Sequence, residues 1–560
     1  MKTRFKIMII GVDGATFDVI FPLIKSGLLP NFKRIITEGV HGNLRSTIHP
    51  ITPHAWSTFL TGKNAGKHGV YDFTRRKKDS YDIEFINASM RNGDSLFMHL
   101  SKVGRKVGAI AIPFTYPPEP VNGFMLSGMD SPAEDERAIY PPELYSEIKK
   151  RFGAYHVHLA SPIGRKRKEE AAFWRDIQEE DKNRTDISLY LRDKYPCDIF
   201  MTMYTNTDRV QHQYYTEKTE KDLEEGRPNV DSLLVKSYIN VDKELGRLLE
   251  YVKNDKDTMV LLMSDHGSGP IRKFFYLNRW LEQKGFLVYR EKSEEITLKT
   301  IEMGRYMAKR FLPRKTKNFL KTFLPGVKNK MESYRFFNDI DWSKTKAYGF
   351  GMYGNIFINL KGREPEGIVI PGNEYEDICK KLLKDIKEIR DPITDENIVD
   401  MVYRRADLYQ GSCVEDAPDL LIGWKDYSFY TSNTPGREKG DCFGEYLNID
   451  ASDFLHVGTH RMNGIFMAMG GAIKKDQKIE RAGIVDLAPT ILYALGEQIP
   501  EDMDGRVLLE IFEPAFIQEN PDIKRMVDEA DGADKSRTYT PYTEEESEQV
   551  AERLTGLGYL

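Results

Sequence analysis

The stretch Ile7-Met8-Ile9-Ile10-Gly11-Val12-Asp13-Gly14 decides the fold. A short apolar run of this kind reads as a buried strand. Gly11-Val12-Asp13-Gly14 then turns the chain and leaves a carboxylate at the strand's C-terminal end. In open α/β sheets this is the edge where functional side chains gather. The pattern recurs twice: Cys197–Met203 runs toward Asp208, and Met259–Met263 runs into Asp265-His266-Gly267. Val107–Ile112, ended by Pro113, is a further strand. Between them lie helical stretches such as Ser237–Lys253, with apolar residues at Ile239, Val241, Leu245, Leu248 and Val252. Alternating strands and helices predict an α/β fold with a doubly wound, largely parallel central sheet flanked by helices.

At 560 residues, the chain suits one large α/β domain with insertions. The expected core is 1–281 with 346–515, and 131–190 is a charged, helical insertion placed to cap the site. Residues 282–345 form a basic helical insertion, 361–455 a small α+β subdomain, and 516–560 a polar C-terminal tail. The small subdomain is expected to hold a helix at Tyr375–Ile389 and a strand around Leu420–Ile422. With 40% hydrophobic and 30% charged residues and a net charge of −5, the composition is globular and gives no sign of dedicated nucleic-acid binding. Cys197, Cys379, Cys413 and Cys442 are far apart and form no CxxC pair, which argues against a disulfide framework or a cysteine zinc site. The apolar run after the basic Met1–Lys6 is broken at Gly11 and Asp13, too early for a signal-peptide core. No later stretch reaches membrane-spanning length, and a cytoplasmic location is the expectation.

Carboxylates and imidazoles at strand ends point to metal chemistry. Asp208 and His212, four residues apart, share one face if helical and can share one ion. Alone, such a pair is more often a solvated helix face. Asp265-His266-Gly267, straight after a buried strand, is the stronger signal, with an ordinary turn as its bland counterpart. Thr52 precedes Pro53, which favours an extended backbone at Thr52, just ahead of a helix expected to begin near Ala55. The positive end of that helix favours phosphate and an alkoxide. Threonine is a weak nucleophile unless a metal or base activates it.

The motifs taken in order resemble the alkaline phosphatase superfamily, in its type I phosphodiesterase/nucleotide pyrophosphatase branch. The register Asp13, Thr52, Thr61-Gly62, His68-Gly69, Asp208–His212, Asp265–Gly267 and Gly458–His460 carries that likeness. Val485–Leu492 and Met503-Asp504-Gly505-Arg506 resemble the end of the same fold. The resemblance implies an alkaline-phosphatase-like core, one metal held by Asp13, Thr52, Asp265 and His266, and a second held by Asp208, His212 and His460. Thr52 would be the nucleophile, forming a phospho-threonine. Mixed Asp/His ligation without cysteine suits two Zn²⁺ ions best and also admits Mn²⁺ or Fe²⁺. The ligand set by itself already fits a pair of ions acting on a phosphoester.

The chain departs from the family in places. His54-Ala55 stand where many nucleotide pyrophosphatases carry Pro-Asn, and Phe73 stands where they place a phosphate-holding Asn, which weakens the case for nucleotides. Lys63, Asn64 and Lys67 are candidate phosphate contacts, with loop solvation as the alternative; Arg461 is a candidate anion contact or a surface residue. His41, His49 and His156–His158 are expected to serve loops or the surface, and Asp486 to cap a helix. The expected activity is hydrolysis of a phosphodiester or pyrophosphate; a phosphomutase or phosphomonoesterase is the alternative, and a non-catalytic binding protein a remote one. The expected partner is a phosphorylated small-molecule or lipid-linked substrate. Met303–Met331 holds nine basic residues and no acid, interleaved with Phe and Leu. Such a segment suits contact with an anionic membrane surface, although Pro313 and Pro325 interrupt any long amphipathic face and favour an insertion over the cleft.

Overall fold

The computed structural model describes residues 5–157, 167–290, 337, 339–431, 441–444, 457–527 and 539–557. The basic segment 303–331 lies outside them. Ten strands form the main sheet: β1 (Lys6–Val12), β2 (Gly39–Arg45), β3 (Val107–Ile112), β4 (Gly123–Ser127), β5 (Ile139–Tyr140), β6 (Ile199–Tyr204), β7 (Thr258–Met263), β8 (Asn463–Met469), β9 (Gln477–Lys478) and β10 (Ala482–Gly483). Their order is β9-β2-β8-β7-β1-β6-β3-β4-β5, with β10 beside β2. The central strands β7, β1, β6, β3 and β4 run parallel, while β8 runs antiparallel to both β7 and β2. The α/β, largely parallel architecture is thus as expected. β1, β3, β6 and β7 are apolar runs because both of their faces are covered.

Register brings the functional residues together. Gly11 on β1 pairs with both Met203 on β6 and Met263 on β7, so the three strands end level. Asp13 and Asp265 each follow two residues later, and the helix Asn206–Tyr214 begins just after β6. Antiparallel β8 starts at this same edge, and the strand Gly458–Arg461 immediately before it delivers His460. That strand pairs with Gly267–Pro270, setting His460 opposite Ser268.

The helix Leu233–Val252 buries the predicted apolar face and is capped by Ser232, whose hydroxyl accepts from the Val235 N–H. Of the 131–190 segment, Ile139–Tyr140 adds an edge strand to the main sheet. The helix Arg167–Lys194 places Phe173, Ile177, Ile187 and Leu191 in the main core. That helix packs directly on β6 and β3 of the main sheet, with the Ser188 hydroxyl donating to Thr202 Oγ1 at 3.0 Å. Its docking face is mixed: Glu180, Asp181 and Arg184 are buried along with the apolar residues, and Arg184 donates to Met203 O at 2.8 Å.

A second sheet has the order Ala347–Gly349, Asn355–Ile358, Leu420–Trp424, Val399–Arg404, all antiparallel, with the helix Asn373–Lys387 against it. Its hydrophobic cluster also takes in Ile83, Phe275, Leu277 and Trp280 from outside the 361–455 stretch. The C-terminal residues 539–557 dock on the body of the molecule through the helix Glu544–Leu557, where Val550, Ala551 and Leu554 are buried. Among the described residues, no helix is long and apolar enough to cross a membrane.

Candidate active site

Thr52 opens the helix Thr52–Thr61, with the extended Ile51 as its cap and Pro53 in the first turn, where no backbone N–H is needed. The helix therefore starts three residues earlier than the sequence suggested, and Thr52 belongs to its positive end. Its Oγ1 lies 3.4 Å from His266 Nε2.

Three histidines are oriented in the same way. Nδ1 of His212 meets Gly458 O at 3.0 Å, Nδ1 of His266 meets Gly267 O at 3.0 Å, and Nδ1 of His460 meets Pro50 O at 2.6 Å. A carbonyl on Nδ1 fixes the proton there and leaves Nε2 as an inward lone pair, the arrangement of metal-binding imidazoles. The His212 and His460 Nε2 atoms face each other at 3.0 Å. Two lone pairs repel at that distance, so a proton or a cation belongs between them. Asp208 is within reach of both rings, at 3.1 Å from His212 and 3.5 Å from His460.

The carboxylates are equally crowded. Burial, then the charges of Asp265 and Asp208, pushes the Asp13 carboxyl well above its ordinary range. Burial also raises Asp265. For Asp208, burial acts upward, but His212 and His460 outweigh it and hold the carboxyl low. Burial would lower His212, yet Asp208 outweighs it and raises the ring; His460 is held well below its ordinary value by burial and by His266. Asp13 Oδ1 and Asp265 Oδ2 are buried without a hydrogen-bond donor. Acceptors left without donors in a low-dielectric site are costly, and a cation is what they lack.

These atoms form two metal-competent groups, Asp13–Asp265–His266 and Asp208–His266–His460, each with its ligand atoms within 4.8 Å of one another. The donor set of carboxylate oxygens and neutral imidazoles fits divalent cations. His266 reaches both groups, and His212 borders the second through Asp208 and His460.

The outer supports come from far apart in the sequence. The Thr207 hydroxyl donates to Asp13 O at 2.6 Å; Gln211 Nε2 donates to Gly14 O at 3.0 Å and its Oε1 accepts from the Tyr238 hydroxyl at 2.9 Å. Gly14, at φ +62°, could not carry a side chain: a Cβ there would lie 2.8 Å from Asp208 Oδ1.

The four candidate substrate contacts are otherwise engaged. Lys63 pairs with Asp502, and Lys67 pairs with Asp504. Asn64 donates to Asp504 from its backbone (2.7 Å) and side chain (2.8 Å), and its Oδ1 caps the short helix that follows. Arg461 points away from His460 along its strand and donates to the Tyr427, His460 and Pro270 carbonyls. Asp486 accepts from the Gly483 and Arg506 N–H groups, at 2.9 Å each, in keeping with a capping role.

Sequence reasoning missed His49, Tyr353 and Tyr427. All three are buried, and Tyr353 lies 5.7 Å from the His460 ring, centroid to centroid, and 5.9 Å from that of His49. No motif marks Tyr353, and His49 carries no partner spacing.

The family model for type I phosphodiesterase/nucleotide pyrophosphatase matches residues 7–446. The chain belongs to that family. Phosphonoacetate hydrolase from Sinorhizobium meliloti 1021, solved with phosphonoformate, shares the fold at TM-score 0.51 and 13% identity, over 88% of this chain and 96% of that one. Murine ectonucleotide pyrophosphatase/phosphodiesterase 5 aligns at TM-score 0.49 and 12% identity, over 91% of this chain and 100% of that one. No curated protein matches the chain. The protein is thus an enzyme of the type I phosphodiesterase/nucleotide pyrophosphatase family.

Proposed function

We propose that the protein hydrolyses a phosphodiester or pyrophosphate with Thr52 as nucleophile. The observation that carries this reading is the position of Thr52: Oγ1 stands at a helix N-terminus, in contact with the one histidine common to both metal-competent groups. Asp13, Asp265, His266 and Thr52 would hold one divalent ion, and Asp208, His212 and His460 the other. When bound, two such ions lower the pKa of coordinated oxygens and neutralise phosphoryl charge. The residues do the rest. Thr52 Oγ1 forms a bond to phosphorus as the leaving oxygen departs with its electron pair and takes up a proton. Water then cleaves the phospho-threonine, restoring the hydroxyl and releasing the second product. The helix N-terminus favours the negative charge gathered at Thr52 throughout, and burial excludes competing water. Zn²⁺ suits the donor set best.

Hydrolysis of bis-p-nitrophenyl phosphate against p-nitrophenyl phosphate, by protein stripped of metal and reloaded with Zn²⁺ or Mn²⁺, tests the proposal. Metal-dependent preference for the diester is expected. Preference for the monoester would replace the reading with a phosphatase or mutase; metal-independent rates would remove the two-metal centre.

A further inference from the structure

The catalytic centre is sealed. None of Asp13, Thr52, Asp208, His212, Asp265, His266 and His460 is more than 2% exposed. A phosphoester must reach Thr52, so some part of the cover has to move.

Tyr353 is part of that cover. Its ring is tilted 33° against His460, and its hydroxyl accepts from Thr459 Oγ1 at 3.3 Å. It sits in the loop Phe350–Asn355, where Gly351, Tyr353 and Gly354 have φ of +79°, +63° and +90°. A left-handed tyrosine is strained, and such strain persists only where surrounding packing imposes it. Here the ring is packed in a cluster with Ile51, Met352 and Tyr427. The glycines on either side give the loop a second, unstrained route once that packing is released.

On its other side the same loop borders a cavity of roughly 810 Å³, lined by Phe350 and Asn355 together with Tyr71, Asp72 and Phe357. The contact is close: a Cβ on Gly351 would lie 2.7 Å from Asp72 Oδ2, and Asn355 Nδ2 donates to Met352 O at 3.2 Å. The loop therefore has the catalytic centre on one side and the cavity on the other. The volume falls in the range of small-molecule sites. The lining sets five basic side chains against five acidic ones, so charge selects neither sign. It includes the aromatic residues Tyr71, Phe350, Phe357 and the exposed Tyr539, with the Arg76 guanidinium 4.8 Å from the Phe357 centroid.

We infer that Tyr353 is a specificity-determining gate, and that the cavity behind it receives a neutral, ring-bearing ester group of the substrate. The inference rests on the phosphoester reading of the catalytic centre for the substrate's class, but the gate itself does not depend on turnover.

Two measurements test it. The first is release of loaded Zn²⁺ to a chromophoric chelator from the wild type, Tyr353→Phe, Tyr353→Leu and Tyr353→Ala, each checked by thermal melting. Tyr353→Ala is expected to release metal at least tenfold faster and Tyr353→Phe at nearly the wild-type rate. Tyr353→Leu, which keeps apolar packing, serves if the alanine variant does not fold, and is also expected to be faster. Unchanged release in a folded Ala or Leu variant overturns the gate.

The second is equilibrium binding of bis-p-nitrophenyl phosphate and of ring-free dimethyl phosphate to Zn²⁺-loaded Thr52→Ala, with and without Thr74→Trp. Thr74 lines the cavity from the strand Thr74–Arg76 and is partly exposed. Thr74→Trp is expected to weaken the bis-aryl ester at least fivefold relative to dimethyl phosphate. Equal effects on both overturn the cavity assignment. Faster metal release together with no diester turnover by the wild type would retain the gate and sink the phosphoester reading, so the two failures stay separate.

Discussion

At the scale of single residues, the centre depends on one hydroxyl and on one missing side chain. Thr52→Ala removes the Oγ1 that meets His266 at 3.4 Å but leaves the carboxylates and imidazoles in place. Turnover is expected to fall by at least three orders of magnitude, with metal content measured by atomic absorption nearly unchanged. Wild-type rates in this variant would show that Thr52 is not the nucleophile. Gly14 makes the opposite case. At φ +62°, a methyl on this residue would sit within 2.9 Å of Asp208 Oδ1, Gln211 Nε2 and Ser268 Oγ, so Gly14→Ala must displace Asp208 or the side chains around it. Disturbing such support typically weakens metal binding about tenfold or more, and calorimetric titration of the stripped variant with Zn²⁺ reads this directly.

At the scale of elements, the helix carrying Asp208 and His212 is held from beneath by a buried acid. Asp181, on the helix Arg167–Lys194, accepts from Asn206 Nδ2 at 2.9 Å and Asn240 Nδ2 at 2.8 Å, tying three helices together. Burial pushes its pKa up to about 7, against an unfolded value of about 3.9. Between these values the folded chain binds more protons than the unfolded one, so this acid's contribution to stability is full at low pH and is lost as pH rises toward 7. The slope is at most about 1.4 kcal/mol per pH unit. Denaturant midpoints measured between pH 5 and 8 are expected to fall with pH in the wild type and to fall less in Asp181→Asn. Equal slopes would place the titration elsewhere. The strands were legible in the sequence because β1, β3, β6 and β7 are covered on both faces and so read as apolar runs. β2 was not, since Gly39-Val40-His41-Gly42-Asn43-Leu44-Arg45 buries alternate residues and has two glycines. Several residues that meet at the centre were legible because Asp13, Asp265 and His266 follow a strand and Asp208 and His212 share a helix turn. Tyr353 was not: an aromatic residue in a loop looks like any other until the fold sets it against His460, more than a hundred residues onward.

At the scale of the whole molecule, the C-terminal helix joins parts that the sequence keeps apart. Val550, Ala551 and Leu554 share a buried cluster with Ile51, the cap of the Thr52 helix, and with Tyr353. The Tyr542 hydroxyl donates to Asp130 O at 2.7 Å, and Arg553 donates to Met129 O at 3.1 Å. A polar tail, as its composition suggested, would make none of these contacts. The docked helix instead covers apolar surface beside the catalytic centre. Fully burying a valine or leucine side chain stabilises by about 1.5–3 kcal/mol, so removing residues 539–560 is expected to cost about 3 kcal/mol or more, read as a shift in the denaturant midpoint. Because Pro50 O orients His460 and Ile51 caps the Thr52 helix, the same truncation is expected to loosen the centre and speed release of loaded Zn²⁺. Lost stability with unchanged metal release would make the helix a brace for the fold alone; unchanged values of both would show that it docks without supporting either.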